Sequence, residues 1–151
     1  MSAKCSEVVL SIESQVSNID LVKAVLDETI AGLELSEDDS QWLELAVREA
    51  VANAIIHGNG EDKSKRVSVA VRCESDELVI EVSDQGVGFD PDKLPDPCKT
   101  ENLLRPNGRG IFYMKKCMDS IDYDFQPEGT VVTMRKKLAA QAQPEEVKEK
   151  A

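Results

Sequence analysis

The sequence predicts a single α+β domain. Three observations predict it: two helical stripes follow one strand near the start, two pairs of alternating apolar strands come later, and no break in composition divides the 151 residues. That length supports one domain with a real hydrophobic core. A formal charge of −11 argues against binding nucleic acid or anionic lipid through a general electrostatic field. No apolar run approaches a membrane span and no leader-like segment opens the chain, so a soluble, cytoplasmic protein is expected, with no membrane partner.

Residues 5–13 alternate as a first strand, and residues 18–34 carry Ile19, Val22, Val25, Leu26, Thr29, Ile30 and Leu33 as one helical stripe. Ser36 is placed to cap a second helix, with Glu37, Asp38 and Asp39 in its first turn, running to about His57 and closed by Gly58-Asn59-Gly60. Residues 67–73 and 78–83 form a hairpin across a polar turn. Residues 90–107 hold four prolines and little periodicity, which predicts a long functional loop or lid. A short helix over 110–118 follows, then strands at 120–125 and 130–138 separated by Gln126-Pro127-Glu128-Gly129. Residues 1–138 make the domain, and 139–151 form a tail with little to bury that is expected to be disordered.

Cys5, Cys73, Cys98 and Cys117 are widely spaced with no CxxC pair, which predicts reduced thiols rather than a zinc site or disulfide framework. His57 is the sole histidine, so Ser/His/Asp or Cys/His chemistry is disfavoured, and its place before Gly58 also suits a helix end. The basic cluster Lys63-Ser64-Lys65-Arg66 reads as a solvated turn.

Three constellations carry chemistry. The first is the pair Glu49 and Asn53. At about 100° per residue, both project away from the wet face marked by Glu44 and Arg48, and they are neighbours one turn apart. Buried polar groups need partners. Each either bonds the backbone in the core or faces a ligand, where Asn53 suits Mg²⁺ and Glu49 suits proton acceptance during phosphoryl transfer. The second is Asp84-Gln85-Gly86-Val87-Gly88-Phe89-Asp90, directly after an apolar strand. Asp84 either receives the exocyclic amine of adenine or caps its own turn, and the glycines let backbone pass close to a flat ring. The third, Asn107-Gly108-Arg109-Gly110-Ile111, opens a helix whose amides and dipole favour an anion. Its spacing fits neither GxxxxGK[ST] nor GxGxxG.

In this order the segments resemble the GHKL ATPase superfamily. Residues 49–58 look like its N box, 84–88 like its first glycine box, 108–110 like its second, and Gly129-Thr130 like its last motif. The resemblance covers about residues 5–138 and implies the Bergerat-type ATP-binding fold, an α/β (α+β) two-layer sandwich with a mixed, largely antiparallel sheet covered on one face by helices. The pattern Glu-Ala-x-x-Asn-Ala-Ile-x-His-Gly and the phrase Gly-Ile-Phe-Tyr-Met-Lys-Lys-Cys-Met-Asp119 look most like bacterial anti-sigma-factor serine-protein kinases. That likeness implies a free-standing ATP- and Mg²⁺-dependent kinase that sequesters a sigma factor and phosphorylates a STAS-domain anti-sigma-factor antagonist. It further implies Glu49 as general base, Asn53 as Mg²⁺ ligand, Asp84 as the reader of adenine with the Thr130 hydroxyl helping to hold it, Gly108, Arg109 and Gly110 along the phosphates, and Gly86, Gly88 and Ile111 among the other ATP contacts. Arg109 departs from the pattern, standing where an apolar residue is expected, and either touches phosphate or points to solvent. Arg105 in the lid either clamps the γ-phosphate or is a surface arginine. A homodimer formed through the first strand and helix is also implied. Two alternatives remain at this stage: an ATP-binding anti-sigma or switch module without phosphotransfer, and a detached histidine-kinase catalytic domain.

Overall fold

A computed structural model describes residues 7–33, 35–86 and 118–138. The elements run β1 (Val8–Glu13), α1 (Ile19–Ile30), α2 (Glu37–Asn53), β2 (Arg66–Glu74), β3 (Glu77–Ser83), β4 (Ser120–Gln126) and β5 (Gly129–Lys137). The five strands form one sheet in the order β1-β2-β3-β5-β4, so β1 and β4 are its edges. Among the described residues every pairing is antiparallel, in keeping with the mixed, largely antiparallel sheet that the resemblance implies.

The period-two alternation of the strands sorts the side chains onto two faces. Ile12, Val67, Val69, Val71, Leu78, Ile80, Val82, Val132 and Met134 are buried and pack with Val22, Leu26, Leu43, Val47, Val51 and Ile55 of the helical layer. The opposite face is polar, with Arg72 bonded to Glu74 at 2.5 Å and Glu81 at 3.1 Å, and Arg135 lying 3.5 Å from both Glu74 and Glu77. Val79 lies on this polar side, in register between Arg72 and Arg135, yet is fully buried.

The helices depart from expectation at their ends. A 3₁₀ turn at Val16–Asn18 precedes α1, and α1 stops at Ile30 rather than at 34. Ser36 caps α2 as its sequence context requires, its hydroxyl accepting from Asp39 N at 3.0 Å. The regular part of α2 ends at Asn53, and a π-helical turn at Ala54–Gly58 carries the chain onward, with Asn59 N donating to Ala54 O at 2.8 Å. Such wide turns recur at functional sites. They widen the spiral, which sequence periodicity does not register.

Two contacts fix how α2 lies on the sheet. Near its start, Asp39 Oδ1 is 3.9 Å from Lys136 Nζ at the end of β5. At its other end Gly58 abuts Asp84, which follows β3. The helix thus delivers Glu49 and Asn53 toward the sheet end where β3 finishes and β5 begins.

Cys73 is disulfide-bonded, not the reduced thiol expected, because sequence spacing says nothing about which cysteines meet in space. Cys5, Cys98 and Cys117 lie outside the described residues, as do the expected lid over 90–107, the tail 139–151 and the expected helix over 110–118 except for its last residue, Met118, which is not helical. Among the described residues no helix is long and apolar enough to cross a membrane.

Candidate active site

Asp84 is the fixed point of the site. Its Oδ1 accepts two backbone hydrogen bonds, from Gly86 N at 3.0 Å and from Thr130 N at 3.0 Å. Its own amide donates to Thr130 O at 2.9 Å, so the end of β3 and the start of β5 hold one another. With Oδ1 engaged, Oδ2 is turned toward Gly58, where a Cβ would stand 2.2 Å from it. Asp84 is buried, and through Oδ1 it caps its own turn, the first of the two readings that its sequence context offers.

Glycine is required here by crowding. A Cβ on Gly86 would lie 1.6 Å from Gly58 O, and one on Gly129 would lie 1.8 Å from Asp84 O. Both clashes are with backbone, which cannot swing aside. Gly86→Ala is therefore expected to lower the unfolding free energy by about 2–3 kcal/mol and to push the loop off Asp84. Urea denaturation checks the first effect; a wild-type midpoint would show that the loop yields freely.

Beside Asp84, Thr130 is wholly buried, and among the described residues its hydroxyl has no hydrogen-bond partner. A buried hydroxyl left unpaired costs on the order of 1–3 kcal/mol.

Glu49 and Asn53 lie where their helical phase predicts. Asn53 is buried, at 6 % exposure, and Glu49 is half-buried. Burial pushes the Glu49 carboxyl up to about 7, with Arg48 opposing only weakly. A carboxyl poised there is matched to proton transfer near neutral pH. Tyr123, inward-facing on β4, lies close enough for Glu49 to act on it: burial first, and then the Glu49 charge, raise its phenol above the ordinary value. The Tyr123 ring stacks on Phe125 with centroids 6.1 Å apart.

Among the described residues there is no cluster of three or more His, Cys, Asp or Glu suited to a metal ion. A lone amide oxygen from Asn53 fits Mg²⁺, a hard cation that keeps several waters and takes its remaining oxygens from phosphates.

The structure brings Asp84, Gly86 and Thr130 together where β3 ends and β5 begins, against Gly58, while Glu49 and Asn53 stand in the last turns of α2, which leads into Gly58. Gly88, Arg105, Gly108, Arg109, Gly110 and Ile111 lie outside the described residues. A separate cavity of about 280 Å³ lies between α1 and α2, walled by Ile19, Val22, Leu26, Lys23, Glu44 and Arg48, and none of the predicted site residues lines it. Sequence reasoning missed Tyr123, Asn59 and Gln85. The inward phase of β4 would have flagged Tyr123; the two long-range hydrogen-bonding partners carry no local signal.

A five-stranded antiparallel sheet layered with two helices, one ending over a crowded carboxylate, defines the class as an ATPase domain of the histidine-kinase-like fold. The family model described as a histidine kinase-like ATPase domain matches residues 12–136, and the chain belongs to that family. It is 36 % identical over 112 residues to a protein of Clostridium perfringens named anti-sigma F factor, covering 72 % of this chain and 80 % of that one. It is 28 % identical over 144 residues to a protein of Bacillus velezensis named serine-protein kinase RsbW, covering 91 % of this chain and 89 % of that one. The solved structure of the RsbU and RsbW domains of Rv1364c from Mycobacterium tuberculosis superposes with a TM-score of 0.65 at 19 % identity, over 90 % of this chain. This chain spans 33 % of that polypeptide, and the likeness is one of fold.

Proposed function

We propose that the protein is an ATP-dependent serine/threonine-protein kinase that acts as an anti-sigma factor, phosphorylating a STAS-domain antagonist and sequestering a sigma factor. The observation that carries this reading is Glu49, a half-buried carboxyl with a pKa of about 7, held one turn before the buried Asn53. The names of the relatives in Clostridium and Bacillus support the choice of partners.

In this reading the antagonist's serine hydroxyl oxygen attacks the γ-phosphorus while its proton passes to a Glu49 carboxylate oxygen. The bond from the γ-phosphorus to the bridging oxygen breaks, and ADP leaves with that electron pair. Asp84 Oδ2 receives the adenine amine, and Thr130 Oγ1 meets the same ring edge. Asn53 would hold Mg²⁺, which would supply charge neutralisation to the phosphates when bound. Gly88, Gly108, Arg109, Gly110, Ile111 and Arg105 complete the nucleotide contacts. The protein acts in the cytoplasm as a homodimer paired through the β1 edge, where Val9 is 62 % exposed, with no direct nucleic-acid partner. In that compartment the Cys73 bridge meets a reducing thiol pool.

Incubation with γ-labelled ATP and a panel of STAS-domain proteins tests the proposal. Label on a serine or threonine of one of them is the expected outcome. Label on none, with nucleotide binding intact, leaves a binding switch instead of a kinase.

A further inference from the structure

Asn59 sits between Gly58 and Gly60 and is only 3 % exposed. Its backbone N–H closes the π-helical turn on Ala54 O, which is all that ending the helix requires. Its side chain does something else. Nδ2 donates to Ser14 Oγ at 2.8 Å and to Arg66 O at 3.1 Å, while Oδ1 accepts from Gln85 N at 2.7 Å. Ser14, itself buried, donates its hydroxyl hydrogen bond to Lys65 O at 2.6 Å, and Gln85 Oε1 accepts from Arg66 N at 2.5 Å. One amide thus joins the end of β1, the start of β2, the turn after α2 and the loop after β3.

The two ends of that amide face different structures. The Nδ2 bonds reach only scaffold. The Oδ1 bond reaches the backbone between Asp84 and Gly86, the two residues whose spacing sets the direction of the Asp84 carboxylate. The reverse orientation of the amide would set NH₂ against the Gln85 N–H, so the bond fixes one arrangement.

We propose that Asn59 is a positioning residue for the nucleotide: its Oδ1 holds the Gln85 backbone so that Asp84 presents its second carboxylate oxygen to the adenine amine. The inference rests on the reading of Asp84 given above. Asn59 touches no ligand. It acts through Gln85, in a place where a missing hydrogen bond leaves a part-buried amide unpaired and a binding loop free to shift.

The test measures ADP affinity by isothermal titration with Mg²⁺ present, together with urea stability, in the wild type and in Asn59→Ala, Asn59→Asp, Ser14→Ala and Asp84→Asn. Asn59→Ala is expected to weaken ADP binding roughly tenfold. Asn59→Asp keeps an acceptor for Gln85 N while losing the donors to Ser14 and Arg66, so it should bind ADP within roughly threefold of wild type despite lower stability. Ser14→Ala, which disturbs only the scaffold side, should lose stability and keep its affinity. Affinity then follows the acceptor at position 59 and not the stability of the fold. Affinity that falls in step with stability across the three variants overturns the proposal, and if Asn59→Ala does not fold, the other two decide in the same way. Lost affinity in Asp84→Asn beside wild-type affinity in Asn59→Ala overturns the positioning role alone. Full affinity in Asp84→Asn overturns the adenine reading beneath it.

Discussion

Glu49→Gln is expected to cut phosphotransfer to the antagonist by about a thousandfold while ADP affinity stays within roughly threefold, because a glutamine fills the same space but accepts no proton. A second, opposite effect should accompany it. In the nucleotide-free protein the Glu49 carboxyl is raised from 4.5 to about 7, chiefly by burial. The folded state therefore binds this proton more tightly than the unfolded chain does. Its contribution to stability is full below about 4.5 and is lost as the pH rises through about 7. Above neutrality the wild type holds a poorly solvated charge that the glutamine variant lacks. Allowing for the part of the group that water still screens, Glu49→Gln should be more stable by on the order of 2 kcal/mol at pH 8, with the gap shrinking toward pH 5. Urea denaturation at the two pH values, beside a labelled-ATP assay, measures both effects. The wild-type transfer rate should itself rise as the pH passes neutrality and the base deprotonates. Full transfer by the glutamine variant would remove Glu49 from the chemistry.

Asp84→Asn is expected to weaken ADP binding by about a hundredfold with little change in the fold. The argument lies in the two oxygens. Oδ1 accepts from Gly86 N and Thr130 N, so an asparagine must keep its carbonyl there. Its NH₂ then replaces Oδ2 and meets the adenine amine, donor against donor. Turning the amide round faces the NH₂ to two backbone donors instead, so neither rotamer rescues binding. Isothermal titration with ADP, with circular dichroism to establish that the variant is folded, decides it. Unaltered affinity would mean that adenine is read by other groups.

Much of the site was legible because it obeys local rules. The phase of α2 alone turned Glu49 and Asn53 off the wet face, and both are at least half-buried. The Ser36 cap and the alternation of the four later strands were equally local, needing only neighbouring residues to specify them. What was not legible depends on groups far apart in the chain. The π-helical turn at Ala54–Gly58 sets Gly58 against Asp84, which comes 26 residues later. The Cys73 bridge, too, was missed by reading spacing alone.

Taken by itself, the sequence determined the secondary elements and which of their faces are apolar, since periodicity and capping act over a few residues. It also supplied the chemical types gathered at the site. Only the tertiary structure decided that three glycines, 58, 86 and 129, pack closely around residue 84, Gly58 against its carboxylate, Gly86 against the Gly58 backbone and Gly129 against the Asp84 backbone, and that Asn59 ties four segments through one amide. The physical reason is that steric exclusion and burial belong to atoms brought together from distant parts of the chain, and no local pattern encodes the distance between them.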